Sequence, residues 1–396
     1  MPAAAPNDGT SAPLVSVVTP VYNGERYLAE CIESVLAQTY PHWEYVIVDN
    51  ASTDRTGEIA RAYAARDRRI RVVTNERLVG VIENHNIAFR QVSPRARYCK
   101  VAQADDVLFP ECLAAMVGIA EAHPRVGLVC AYRLQGDWVD LDGLPYPSPV
   151  VPGRVIARWS LLGFPYVFGS PTSHLIRADF VRARPAFYDE SNLHADEAAC
   201  YEVLKSADLG FVHQVLTYTR VHDETITTSV ARRLNTFLPG QLAILDRYGP
   251  VFLTAEEYRR RRAERLAEYY RFLALVLLAG RDRETWRYHQ ERLAALGEPF
   301  RVSRLLRALG RLVLRVALSP GRDLPKVWQV IRCGPDGLSP AVGEELGAVL
   351  DRARFHGLVK AVERADASRV RAAVDVPRGA VPIPSPSQPD AAHRVA

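Results

Sequence analysis

Carboxylates and turn residues follow three apolar, β-branched runs in this chain, and at such positions they could hold a charged ligand. The run LVSVVTP at 14–20 gives way to Pro20-Val21-Tyr22-Asn23-Gly24. EYVIV at 44–48 ends at Asp49-Asn50-Ala51-Ser52-Thr53-Asp54, and Tyr98 to Ala102 ends at Gln103-Ala104-Asp105-Asp106. Acidic groups gathered at one edge repel each other unless a cation or hydrogen-bond donors offset them. A hard divalent cation suits carboxylate oxygens, and Mg²⁺ commonly takes one or two of them plus substrate phosphates. Taken singly, Asp49 reads as a helix cap and Asp105-Asp106 as a turn before Pro110. At three strand ends of one sheet they read together as a cation-assisted binding site.

The elements that must position these residues alternate. Strand 14–20 precedes a helix from Glu25 to Gln38, with Tyr27, Leu28, Cys31, Ile32, Val35 and Leu36 on one stripe. Strand 44–48 precedes a helix from Arg55 to Ala65. Strand Ile70–Val73 is followed by a helix around Val81–Gln91, strand Tyr98–Ala102 by helix Glu111–Ala122, and strand Gly127–Tyr132 comes next. Strands alternating with helices through short connections predict an α/β unit, a mostly parallel central sheet flanked by helices. Ligands of such sheets bind outside the carboxyl ends of the strands, where the three acidic or turn clusters fall. The first turn lacks G-x-G-x-x-G, and the chain has no G-x-x-x-x-G-K-[ST], so dinucleotide redox chemistry and P-loop hydrolysis lose their main support.

Composition narrows the class further. The chain has 396 residues, 48% hydrophobic and 24% charged, enough to bury a large core without disulfides or structural zinc. Six scattered cysteines form no C-x-x-C and fit a reducing compartment. The first residues, MPAAAPNDGTSAP, have neither the basic nor the apolar region of a secretory leader. The longest apolar run, Phe272–Ala279, is far short of the roughly 20 residues that span a bilayer. Net charge is +5, yet 256–326 holds 17 Lys/Arg against 9 Asp/Glu. That basic region is expected to be helical, and 304–316 is amphipathic. Leu305, Leu309, Leu312, Val313 and Val316 share a face opposite Arg304, Arg307, Arg311 and Arg315. The expected organisation is a flexible 1–12, an α/β domain over 13–230, a helical region over 231–375 and a Pro/Ser-rich disordered tail over 376–396.

The ordered motifs PLVSVVTPVYN (13–23), SVLAQTY (34–40), VDNASTD (48–54), Asn86 and ADDVLFPECL (104–113) resemble the family 2 glycosyltransferases. The resemblance covers roughly 13–230. It implies a GT-A fold and an inverting, hexosyltransferase-like enzyme that uses a nucleotide-diphosphate sugar with Mg²⁺ or Mn²⁺. It puts Pro20, Val21, Tyr22 and Asp49 in the nucleotide pocket, with Asn86, Gln103 and Asp105 also on the nucleotide sugar. Asp105 or Asp106 becomes the metal ligand, with His222 near metal and pyrophosphate, and Asp196 the catalytic base. Glu197 is the other local acid, and both would lie in the first turn of a helix, where the dipole favours the ionised form. One departure stands out: Gln103 replaces the first acid of the usual Asp-Ala-Asp-Asp, and an amide can still accept a hydroxyl's hydrogen bond.

The resemblance explains why these residue types are needed. Displacing a nucleoside diphosphate builds negative charge that a Lewis acid offsets, while a carboxylate on the other face takes the acceptor's proton. The Gln-x-x-Arg-Trp motif of processive synthases is missing, which favours addition of one sugar, in surface polysaccharide or glycoconjugate synthesis. A glycan or lipid-linked acceptor, a cytoplasmic location with peripheral membrane contact through the basic helices, and no nucleic-acid partner complete the expectation. Two other readings stay open: a non-catalytic relative that binds a sugar nucleotide or glycan, and a nucleotidyltransferase, for which 20–26 offers only Gly24 and Arg26.

Overall fold

Seven buried residues in a row, Val15–Val21, form the first strand because β-branched side chains pack well on both faces of a covered sheet. This strand, β1, is followed by α1 (Leu28–Leu36), β2 (Trp43–Asp49), α2 (Thr56–Ala64), β3 (Ile70–Thr74), α3 (Val81–Arg90), β4 (Tyr98–Val101), β5 (Val107–Leu108), α4 (Cys112–Ala122) and β6 (Val126–Gln135). Then come β7 (Trp138–Asp140), β8 (Val150–Val151), α5 (Gly153–Leu161), a 3₁₀ turn (Pro171–Ser173), β9 (Leu175–Arg177), α6 (Ala178–Arg182), α7 (Ala195–Leu204) and β10 (Asp208–Thr219). Four helices end the described chain: α8 (Phe237–Phe252), α9 (Ala255–Leu278), α10 (Arg283–Ala295) and α11 (Val302–Leu318). The computed structural model describes residues 12–164, 166–222, 234–280, 283–321 and 328. Expectations for 1–11, for the helical region beyond 321 apart from residue 328, and for the tail at 376–396 lie outside those residues.

One sheet in the order β3-β2-β1-β4-β9-β6-β10-β5 organises the molecule. Its first four strands are parallel, and the register sets Val21 opposite Asp49 and Asp49 opposite Thr74, so the strand ends form a level edge. The sheet is mixed beyond β4: β9 runs antiparallel to both β4 and β6, and β10 returns parallel to β6. Short β5 pairs antiparallel with the far end of β10, Thr217 opposite Leu108 and Tyr218 opposite Val107. That pairing brings residues just before β5 alongside those just after β10. Alternation along β2 divides the core: Trp43, Tyr45 and Ile47 pack with α1 and α4, while Val46 and Val48 pack with α3 and α7.

The last helices dock on this unit rather than standing apart from it. Ile244, Leu245, Tyr248 and Phe252 of α8 join the core beneath α5 and α7. A capping box starts α9, the Glu257 N–H donating to Thr254 Oγ1 at 3.2 Å while Thr254 N–H donates to the Glu257 carboxylate. Glu257 also pairs with Arg158 on α5. The face expected to be shared by Leu305, Leu309, Leu312, Val313 and Val316 is only partly used. Leu305 and Ala308 are buried, whereas Val302, Leu306 and Val313 are 59%, 60% and 60% exposed.

Gly153 opens α5 where no side chain fits, since an added Cβ would stand 1.9 Å from the Ala207 carbonyl oxygen. Gly153→Ala should therefore cost about 1–3 kcal/mol in urea unfolding, the scale of overpacking. An unchanged midpoint would mean that the helix start shifts freely.

Candidate active site

The β1–α1 and β2–α2 loops are laced together side by side. Asn23 N–H donates to Ser52 Oγ (3.0 Å), Gly24 N–H to Thr56 Oγ1 (2.7 Å) and Glu25 N–H to Asp54 Oδ2 (3.0 Å), while Thr53 N–H returns to Asn23 Oδ1 (2.9 Å). Asn23 and Ala51 sit at φ 48° and 53°, a left-handed backbone that costs energy for a residue with a Cβ and is held here by these bonds. Asp49 is buried, and its Oδ1 accepts Ser52 N–H at 3.0 Å. Asn50 receives Val79 N–H (3.0 Å) and Asn75 Nδ2–H (2.9 Å), and the same Asn75 amide donates to Asn84. Pro20 and Val21 are buried within β1, so of the three residues expected in the nucleotide pocket here, Pro20, Val21 and Tyr22, only the Tyr22 side chain stands out of the strand edge, 46% exposed.

At the next strand end one threonine gathers the acidic loop. Thr172 Oγ1 donates to Asp106 Oδ2 at 2.6 Å and accepts Gln103 N–H at 3.1 Å. Arg220, just past β10, donates its N–H to Asp106 Oδ1 and its Nε–H to the Asp105 carbonyl, both at 3.1 Å. Both oxygens of Asp106 are thus taken and the residue is buried. It was expected as the alternative to Asp105 for the metal ligand, and it faces inward and ties the loop to β10. Burial, then the neighbouring Asp105 charge, pushes its carboxyl up to about 7.

Asp105 points the other way, and its Oδ2 lies 3.1 Å from His222 Nε2. Neighbouring ligands on an octahedron with bonds of about 2.1 Å stand about 3 Å apart, so this carboxylate–imidazole pair fits one edge of a Mg²⁺ or Mn²⁺ site. No group of three metal-ligating side chains occurs among the described residues. A hard cation held by two side chains would complete its shell from substrate phosphate and water. The Tyr27 ring backs the pair, 5.1 Å from the His222 ring, with the Arg220 guanidinium 4.4 Å over it.

The first turn of α7 carries two acids, Asp196 and Glu197. Burial raises both. His194, His85 and helix N–H groups pull Asp196 back down, while the Asp196 charge adds to the rise of Glu197, pushed up to about 7. The two acids face different surroundings. Asp196 shares its field with His85 and His194, Glu197 with Arg265 of α9. His85 also reaches the acidic loop, its Nδ1 2.8 Å from the Val81 carbonyl and its Nε2 3.2 Å from Gln103 Oε1. A carbonyl only accepts, so Nδ1 carries a proton, and burial lowers the affinity of the ring for a second one. The Gln103 oxygen favours that second proton at Nε2 and keeps another lone pair.

Asn86 was expected on the nucleotide sugar, and its surroundings give it another task. Its Nδ2 donates to the Tyr188 carbonyl (2.8 Å) and to Glu190 (3.1 Å), its Oδ1 accepts Tyr188 N–H (2.9 Å), and it is buried. It anchors the segment leading into α7. Sequence reasoning missed Thr172, Arg220 and His85. Thr172 and His85 carry no motif, although Arg220 shares the Arg-x-His segment with His222.

Residues 16–183 match the family model of glycosyl transferase family 2. The putative glycosyltransferase EpsE of Bacillus subtilis is 37% identical over 165 residues, 40% of this chain and 56% of that one. The putative teichuronic acid biosynthesis glycosyltransferase TuaG of Bacillus subtilis is 43% identical over 94 residues, 24% of this chain and 36% of that one. The chain spans less than two thirds of the length of these curated relatives. Two solved structures share the fold. TarS 1–349 of S. aureus in complex with UDP-GlcNAc has a TM-score of 0.55 at 19% identity, over 81% of this chain and 92% of that one. The mannosyltransferase PcManGT of Pyrobaculum calidifontis, in complex with GDP-Man and Mn²⁺, has a TM-score of 0.50 at 16% identity, over 85% and 89%. The level strand edge, the acidic loop closed by β5 and β10, and the match over 16–183 agree: residues 16–183 carry the glycosyl transferase family 2 pattern, and the fold is of the GT-A type.

Proposed function

We propose that the chain moves one sugar from a nucleotide-diphosphate sugar to an acceptor hydroxyl with inversion, with Asp196 as the base. The observation that carries this reading is that His85 joins two acidic groups, its Nε2 3.2 Å from Gln103 of the acidic loop and its ring in the field of Asp196. Asp105 of that loop is paired with His222, and Asp196 lies in the first turn of α7. Tyr22 and Asp49 form the base side, and the Gln103 oxygen is offered to a sugar hydroxyl. Asp105 and His222 would hold Mg²⁺ or Mn²⁺, which when bound supplies positive charge against the diphosphate leaving group. Asp196 takes the proton of the acceptor hydroxyl as its oxygen attacks the anomeric carbon from the far side. Relatives named for teichuronic acid biosynthesis and a neighbour solved with UDP-GlcNAc support a surface glycan acceptor and a nucleotide-sugar donor.

A lipid-linked acceptor at the inner face of the membrane fits the helical end, although no described helix is long and apolar enough to cross a membrane. Exposed Val302, Leu306 and Val313 share α11 with exposed Arg307 and Arg311, whereas Arg304 is paired with Glu298 at 3.0 Å. Each basic residue near an anionic surface contributes about 1 kcal/mol. Co-sedimentation should need anionic liposomes, weaken with salt and fall in Arg307→Gln/Arg311→Gln; equal binding to neutral liposomes would remove the membrane from the proposal.

Asp105→Asn should lose cation-dependent nucleotide binding with the fold intact, measured by calorimetry with UDP and GDP as probes. Unaltered Mn²⁺-dependent binding would exclude Asp105 as the ligand. Asp196→Asn should cut turnover by about 10²–10⁴-fold with little change in donor affinity, the range of general base catalysis. The base must be ionised and burial raises Asp196, so turnover falls as pH drops, from a point above the usual carboxylate range. The Asp196 charge raises Glu197, so Asp196 ionises first, and Glu197→Gln should leave that acid limb in place. A crippled Glu197→Gln beside an active Asp196→Asn would make Glu197 the base.

A further inference from the structure

Lys100 is an unexpected residue at its position. Its neighbours in β4 are Tyr98, Cys99 and Val101, and the strand is buried between β1 and β9. Lys100 is 0% exposed, with its Nζ 2.5 Å from the Thr172 carbonyl oxygen and 3.5 Å from Met116 Sδ. A lysine taken out of water is expensive unless its amine is matched, and the strong acceptor it meets is one peptide carbonyl. That carbonyl belongs to the residue whose hydroxyl gathers the acidic loop.

We infer that Lys100 and Thr172 are positioning residues for the cation half of the active site. Thr172 closes the loop at both ends, accepting from Gln103 N–H at 3.1 Å and donating to Asp106 Oδ2 at 2.6 Å. Lys100 fixes the peptide that carries this hydroxyl. The turn around it is stiff: Ser173 N–H donates to the Ser170 carbonyl, and His174 Nε2 meets the Phe168 carbonyl at 2.8 Å. The same Asp106 holds Arg220 N–H, two residues before His222. The hydroxyl of Thr172 therefore acts through Asp106 on both partners of the 3.1 Å Asp105–His222 contact without touching a ligand itself. Remove the hydroxyl, and the buried Asp106 carboxylate loses one of its two donors while Gln103 N–H loses its acceptor.

The inference uses the proposed cation site to name the consequence, and two readouts separate them. The first needs no ligand. Hydrogen exchange over 103–108 should accelerate about tenfold or more in Thr172→Val, the scale of a lost hydrogen bond to a charged group. Exchange in β2 (Trp43–Asp49) should be unchanged, and Thr172→Ser should restore the wild-type rate. The second readout is Mn²⁺ affinity by electron paramagnetic resonance with saturating UDP or GDP. Thr172→Val and Lys100→Met should weaken it about tenfold, and Thr172→Ser should recover it. Wild-type exchange over 103–108 in Thr172→Val, or a Thr172→Ser variant as fast as Thr172→Val, overturns the inference. A wild-type protein that binds no Mn²⁺ with either nucleotide counts against the cation site alone, and the exchange experiment still decides the role of Thr172.

Discussion

A carboxylate buried between two segments that the sequence keeps far apart is the constraint on which the site depends. Asp106 would be costly in the interior without donors, and it has two, the Thr172 hydroxyl and the Arg220 N–H. One comes from the turn before β9 and the other from the end of β10, so satisfying the charge joins three parts of the chain at one point. The β5–β10 pairing does the same work in the backbone. Together they tie the parallel half of the sheet to the antiparallel half. His222 stands beside Asp105 only because β10 ends beside the acidic loop.

Under the proposed function the two acidic clusters face opposite electrostatic problems. Around Asp105 negative charge must be gathered and yet remain available, and both oxygens of Asp106 are satisfied inward while Asp105 meets His222. At α7 a carboxylate acting as base would have to take a proton near neutral pH. Burial at α7 raises Asp196 and Glu197, and His194 and His85 limit the rise at Asp196. Adjacent acids in one helix turn thus acquire different environments, because successive residues point about 100° apart around the axis.

Much of the fold could be read from the sequence because its signals are local. Apolar runs bounded by Pro and Asp, and stripes such as Leu28, Cys31, Ile32 and Val35, specify strands and helices without reference to the rest of the chain. The antiparallel insertion of β9 could not be read, since three residues, Leu175–Arg177, carry no periodicity and are placed by pairing with β4 and β6. The same limit applies in the site. That Asp105 lies beside His222 and that Asp196 falls in the first turn of a helix could be read from the motifs that surround them. The different task of Asn86, the inward turn of Asp106 and the role of Thr172 depend on contacts between segments up to 114 residues apart. Amphipathicity at α11 was visible too, but which part of its apolar face would be covered depended on how α9 packs.

Gln103 shows how a departure from a family's pattern can be absorbed. A carboxylate at this position would set a full negative charge beside His85 Nε2 and hold the ring as an imidazolium against its burial. An amide meets Nε2 with a neutral oxygen, 3.2 Å away, that keeps a second lone pair. The charge on the ring is then set by burial, which lowers its proton affinity, against the two oxygens that face its nitrogens. Gln103 therefore keeps the hydrogen-bond-accepting capacity of an acid without its charge, at a contact with a residue 18 positions earlier in the chain.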